Sequence, residues 1–284
     1  MTDRPGVEGP AAGLWRRELS AWAIPQSLLD AAPQSPYGWP ASMWRRRAVA
    51  ALASDRQTPT LDVIARLAGP GGSVLDIGSG TGRASLPLAQ AGHPVTAVEP
   101  SETMLSGLVE ASLGLPVTVV EGRWPESTDL VGIHRVAMCA HVVFDVADVG
   151  PFVAAMNERA AAGVVIEMTD RHPWVHLGPY YQALHALERP VGPGWEDLVA
   201  IVNEVIGIDP TVEHWQRPTH LWFESVDEIL EFYAKRLLIG PDRWAELRAL
   251  LESDIVSGPV GYQVGTERRE LVTIWWGTAL GSQG

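Results

Sequence analysis

Between residues 74 and 104 the chain reads as a strand, a glycine turn, a helix, a second strand and an acid, an order that few folds accommodate. Val74, Leu75 and Ile77 form a short apolar run of the kind buried in a parallel sheet. The run breaks into Gly78-Ser79-Gly80-Thr81-Gly82, where missing side chains let a ligand lie directly on the backbone. A helical pattern follows with Ala84, Leu86, Leu88 and Ala89, and a second strand, Val95 to Val98, ends in Glu99. Such a βαβ unit binds a nucleotide or nucleoside, with the acid placed to accept hydrogen bonds from two ribose hydroxyls.

The spacing narrows the ligand. A dinucleotide fingerprint, G-x-G-x-x-G, has a third glycine that lets helix and strand pack closely, and here that position is Arg83. A phosphate loop needs G-x-x-x-x-G-K-S/T, and the only lysine is Lys235. What stands in the chain is D-x-G-x-G-x-G from Asp76, an acid 19 residues after Gly80, and the continuation Pro100-Ser101-x-x-Met104-Leu105. This set resembles the class I S-adenosylmethionine-dependent methyltransferases.

The resemblance implies S-adenosylmethionine as cofactor, a ligand without phosphate. Amides of Gly78, Ser79, Gly80 and Gly82 and the helix N-terminus near Thr81 would hold its carboxylate. Asp76 would lie near its methionine end and Glu99 would bridge the ribose hydroxyls, with Pro100 and Met104 alongside. A bland reading leaves Asp76 capping the turn and Glu99 ending a strand. After the third strand, Gly122-Arg123-Trp124 would face the adenine. Arg123 departs from the acidic or amide residue that many members carry there, and Trp124 either stacks on the purine or plugs the core. After the fourth strand, Ala140 would pass the methionine portion. Related sequences often have histidine where Asp145 stands. His141 and Asp145 would act as a base or acceptor-orienting pair, or simply hydrogen-bond at a strand end.

Strands alternating with helices predict a doubly wound α/β sheet. The resemblance implies a Rossmann-like seven-stranded sheet of order 3-2-1-4-5-7-6, with strand 7 antiparallel, and a helical N-terminal cap. The expected division is a cap or lid over residues 1–58 and a catalytic domain over 59–284, with an acceptor-side insertion around 171–210. Residues 1–12 are read as frayed and Leu14 to Leu29 as helix broken at Pro25. Residues 33–40 are irregular because of their prolines, and helices span about 41–52 and 60–68. Beyond the βαβ unit, helices are expected at 102–113, 149–162, 176–189, 194–207, 225–238 and 242–253. Strands are expected at 117–121, 135–140, 164–168, 212–223 and 271–276.

On the acceptor side, Asp170 to His176, with Tyr180, Tyr181 and His185, is rich in polar and aromatic residues. It is read as an acceptor pocket with Trp174, His176, Tyr180 and Tyr181 in its wall, or as a loop packed over the sheet. His172 is the second candidate base after His141. His172 and His176 are spaced like a metal pair, but Pro173 lies between them and no third ligand is evident, so no metal is expected. Trp15, Trp22, Trp39 and Trp44 line a lid or pack a cap, and Arg45, Arg46 and Arg47 attract an anionic acceptor or form a solvated helix face.

A net charge of −13 argues against a nucleic-acid substrate. One cysteine, Cys139, allows neither an intrachain disulfide nor a cysteine-cluster metal site. The beginning of the chain lacks the apolar core of a signal peptide and no long apolar run occurs, so a soluble cytoplasmic protein without membrane contact is expected. The strong preference for arginine over lysine suggests a bacterial genome of high GC content. The resulting expectation is methyl transfer from S-adenosylmethionine to an oxygen, nitrogen or carbon of a small molecule. Alternatives are a protein or RNA methyltransferase, and a non-catalytic protein that binds S-adenosylmethionine or S-adenosylhomocysteine.

Overall fold

The computed structural model describes residues 9–37, 58–218, 222–258, 261–265 and 268–278. Parallel strands β1 (Val74–Ile77), β2 (Val95–Glu99), β3 (Val117–Glu121), β4 (His134–Ala140) and β5 (Ala160–Thr169) join β6 (Thr211–Pro218) and β9 (Arg268–Gly277) in one sheet. Its order is β3-β2-β1-β4-β5-β9-β6, with β9 antiparallel to both neighbours. This is the expected order, β9 standing where strand 7 was placed. The hairpin β7 (Ile255–Gly258) and β8 (Gly261–Val264) lies apart from it.

Both faces of the sheet are covered. Helices α1 (Pro10–Ser20), α6 (Val149–Glu158) and α8 (Trp195–Ile206) bury Trp15, Phe152 and Ile201 against Leu75, Ile166 and Ile274. The opposite face carries α3 (Pro59–Ala68) and α4 (Ser85–Gln90), with Ile64 and Leu88 against Val74, Val136 and Val165. Helix α5 (Glu102–Ala111) closes that face through Leu108, which packs on Leu86 and Ala97. Thr58 starts α3 by accepting the Leu61 N–H, Pro59 occupies its first position, and Gly69 ends it at φ +71°. Trp275 and Trp276 face opposite sides: Trp276 is buried and donates to Asn157, while Trp275 lies under Arg66.

A second core joins segments distant in sequence. Helix α2 (Gln26–Ala31) contributes Leu28 and Leu29, beside Ile24, and α7 (Gly178–His185) adds Tyr181 and Leu184. Helices α9 (Val226–Arg236) and α10 (Trp244–Leu251) pack there through Ile229, Tyr233, Leu247 and Leu251, with Tyr262 of β8. The insertion expected around 171–210 is therefore divided, since α7 belongs to this lobe and α8 lies beneath the sheet.

Other departures have local causes. Helix α6 stops at Glu158, and residues 160–162, expected to continue it, begin β5. Pairing with β4 outweighs their helical preference, and Gly163 sits where a Cβ would come 2.6 Å from the Trp276 carbonyl oxygen. Residues 10–12, read as frayed, are helical because the Ala11 N–H reaches Glu204 at 2.9 Å and Trp15 is fully buried. A strand was expected through 223, yet β6 ends at Pro218 and Phe223 instead bridges Tyr262. The expected helix at 41–52, Trp39, Trp44 and Arg45 to Arg47 lie outside the described residues.

Candidate active site

Ligands of doubly wound sheets lie beyond the carboxyl ends of the strands, and the turn after β1 is shaped for one. Gly78, Gly80 and Gly82 take φ of +69°, +56° and +91°, a region costly for any residue with a Cβ. A Cβ on Gly82 would come 2.5 Å from Leu108 and one on Gly78 the same distance from Val142, whereas Gly80 meets only the Met104 sulfur at 3.7 Å. Gly80 is thus the open face of the turn.

Glu99, buried at the end of β2, supports that face. One carboxylate oxygen accepts the Gly80 N–H and the other the Ser101 N–H, both at 3.0 Å. A carboxylate has about four acceptor positions, so two remain for a ligand diol. The hydroxyl of Ser79 is buried without a hydrogen-bond partner among the described residues. An orphan of that kind is paired by a ligand polar group. Asp76, almost fully buried, accepts the Ser85 hydroxyl, and its burial pushes its pKa up to about 6. These groups fit S-adenosylmethionine: a diol acceptor in Glu99 and an unsatisfied hydroxyl in the turn, that of Ser79.

The adenine side is mixed. Gly122 donates its N–H to the Glu99 carbonyl, and its α-carbon leaves no room for a Cβ beside Ser127. The charge of Arg123 acts on Asp145, which burial shifts upward and Arg123 partly restores. Trp124 is buried with its indole N–H given to the Phe152 carbonyl, so of its two expected roles the side chain takes the packing one. Pro100 is exposed, and Met104 and Ala140 are half-buried beside the turn.

A charged network beyond β4 and β5 has Glu167 at its centre. The Glu167 carboxylate is almost completely buried and held ionised, well below the usual carboxylate range, by Arg83 at 2.5 Å and by His141 at 3.1 Å. Arg83, which excluded the dinucleotide fingerprint, is its counterion. His141 sits at φ +62° and donates its backbone N–H to the Glu167 carbonyl. Its Nε2 lies 3.2 Å from Arg217. Burial lowers the pKa of His141 to about 3, so the ring is neutral and Nε2 either donates to Glu167 or accepts from Arg217, not both.

His172 stacks on Trp22 at 3.9 Å and meets the edge of Phe144 at 5.3 Å. Its Nδ1 accepts the Trp174 N–H, which leaves the ring proton on Nε2, and burial brings its pKa to about 4. Trp22 gives its indole N–H to Gly192 and receives Arg189 on its carbonyl and ring, while Trp15 bonds Val146. The N-terminal helix is thereby tied to the loops after β4 and β5.

The expected acceptor wall is brought together only in part. His176 and Asp145 remain accessible to water although surrounding protein shifts both protonation equilibria, the situation of groups lining a cleft. Trp174 is half-buried between Tyr37 and Arg236. Tyr181 has no accessible surface and donates to the Arg236 carbonyl, and Tyr180 is buried and donates to Asp254, so both belong to the second core and not to a pocket wall. Sequence reasoning missed Glu167, Arg217 and Arg269. A carboxyl inside the apolar run Val164-Val165-Ile166-Glu167-Met168 was the available signal for the first; for the two arginines there was none. Among the described residues no group of three His, Cys, Asp or Glu is placed to hold a metal ion, and no helix is long and apolar enough to cross a membrane.

Comparison with known proteins agrees with this geometry. Residues 74–162 match a family described as methyltransferase domain. No curated protein matches the chain in sequence. Among solved structures, the BH2331 protein of Bacillus halodurans is 15% identical and similar over 76% of this chain and 96% of its own, with a TM-score of 0.50. The YcgJ protein of Bacillus subtilis is 13% identical over 77% of this chain and 97% of its own, also at 0.50. These likenesses are of fold. The segment matched to the methyltransferase domain holds the glycine turn, Glu99 and the loops after β3 and β4.

Proposed function

We propose that the protein transfers the methyl group of S-adenosylmethionine to an oxygen, nitrogen or carbon of a small molecule. The observation that carries this reading is Glu99, whose two oxygens are fixed by the Gly80 and Ser101 amides with acceptor positions to spare. S-adenosylmethionine supplies a methyl group on a sulfonium, already a good leaving group. The residues of this chain then hold the acceptor in line and exclude water. Glu99, the glycine turn and Ser79 hold the cofactor, and Asp76 faces its methionine end. The lobe formed by α2, α7, α9 and α10 packs on the segment after β5 through Leu177 and Trp174, and the charge of −13 supports a small ligand over a nucleic acid.

His141 and His172, first read as bases, are neutral and weakly basic in this setting. His172, with its proton on Nε2, presents a donor that orients an acceptor. His141, between Glu167 and Arg217, positions the loop after β4. Neither assists strongly in removing a proton, so the reading favours acceptors that arrive with a free lone pair.

Titration calorimetry with S-adenosylmethionine, S-adenosylhomocysteine and NADH tests the cofactor. Micromolar binding of the first two supports the reading, and preference for NADH overturns it. Methyl-labelled S-adenosylmethionine incubated with protein and cell extract tests the acceptor. Label passing a low-mass filter supports a small molecule, whereas label retained on protein or RNA refutes it. Cofactor binding without transfer would favour a binding protein.

A further inference from the structure

A row of arginines crosses the acceptor side of an acidic protein. Arg217 at the end of β6 is the register partner of Arg269 at the start of β9, so both project from the same face at the carboxyl end of the sheet. Arg217 reaches inward to His141. Arg269 is half-buried, its guanidinium is destabilised by the protein around it, and Tyr233 is the neighbour that acts favourably on its charge. Among the described residues the Arg269 guanidinium makes no hydrogen bond or ion pair, although its backbone pairs with β6. Arg236 lies beneath Trp174 at 5.4 Å, and together with Arg269 it disfavours a proton on His176. His176 is exposed and meets Tyr233 edge-on at 6.4 Å.

A half-buried guanidinium without a partner is costly unless an anion completes it. Arginine offers a planar fork that matches a carboxylate or another oxyanion. His176, which feels the charge of both Arg269 and Arg236, and Trp174, on whose ring Arg236 lies, are flat side chains that suit a flat apolar body.

We infer that the acceptor is a small oxyanion, of the aromatic carboxylate type, whose anionic end is received by Arg269 and whose ring lies along Trp174 and His176. The inference rests on the methyltransferase reading for the role of the ligand, while the anion site itself is testable without the cofactor. Arg269 is a specificity residue here.

Benzoate and its neutral counterpart benzamide are the probes, titrated by ligand-observed magnetic resonance into the protein with and without S-adenosylhomocysteine. Saturable benzoate binding that weakens at least tenfold in Arg269→Gln, recovers in part in Arg269→Lys and is absent for benzamide supports the inference. Each variant keeps the wild-type near-ultraviolet circular dichroism spectrum, which certifies its fold. No saturable benzoate binding, equal binding of benzamide, or indifference to Arg269→Gln overturns it. If S-adenosylhomocysteine fails to bind while benzoate binding still follows Arg269, the cofactor reading falls and the anion site stands.

Discussion

Replacing Glu99 by alanine tests the cofactor site most directly. In the structure each carboxylate oxygen receives one backbone N–H at 3.0 Å, leaving one acceptor position per oxygen for a ribose hydroxyl. A hydrogen bond to a charged acceptor contributes about 1.5–3 kcal/mol. Loss of two, each taken at the low end because water enters the vacated space, costs about 3 kcal/mol of binding, an affinity loss of about 100-fold. Glutamine is not a mild change here. However its amide is turned, its NH2 faces the Gly80 or the Ser101 N–H, donor against donor, so Glu99→Gln should lose about tenfold, or about 1.4 kcal/mol. Calorimetry with S-adenosylhomocysteine reads both numbers, and near-ultraviolet circular dichroism checks the fold. Glu99→Ala binding within threefold of wild type, with an unchanged spectrum, would show that the carboxylate only shapes the turn.

Further outcomes are expected at Arg83, Asp76, Gly82 and Gly80. Arg83→Met leaves the buried Glu167 without its closest counterion and should cost about 2 kcal/mol, discounted because Arg83 is partly exposed; Arg83→Met with Glu167→Met should recover most of it by calorimetric melting. Equal melting of the single and double variants would refute that coupling. Asp76, with a pKa raised to about 6, binds its proton more tightly folded than unfolded, so its contribution to stability falls as pH rises from about 4 to about 6. An ammonium group on the ligand favours the ionised form, so S-adenosylhomocysteine affinity should rise between pH 5 and pH 7 with proton release, seen in buffers of different ionisation enthalpy, and Asp76→Asn should flatten that profile. Gly82→Ala faces φ +91° and contacts of 2.5 and 2.9 Å with Leu108 and Leu86, and should destabilise the fold by about 2–3 kcal/mol, read as a lower urea midpoint. Gly80→Ala, with open space above it, should cost about 1 kcal/mol of stability yet impair cofactor binding more.

The βαβ unit and its glycine turn were legible because their signals are local. Strand, turn and acid lie within one short stretch, and the φ values of Gly78, Gly80 and Gly82 are those that only glycine adopts freely. The acceptor half was not. Tyr181 reads as a pocket residue by composition, but whether it faces a ligand or a core depends on α9, some fifty positions later, whose Arg236 carbonyl takes its hydroxyl proton. Arg217 and Arg269 become neighbours only through the register of two antiparallel strands. Residues 160–162 show the same limit within secondary structure, since their helical preference yields to pairing with β4.

The second core has a consequence for how the chain is made. Ile24, Leu28 and Leu29 leave the ribosome early, but the residues that cover them, from Ile229 to Leu251, come some two hundred positions later. Contacts of such separation carry a large loop-closure cost and form late. The cofactor-binding strands β1 to β5 can pair while α2 still waits, its apolar side chains exposed. The second core is thus completed late, and a polypeptide arrested before α9 would leave the apolar side chains of α2 uncovered.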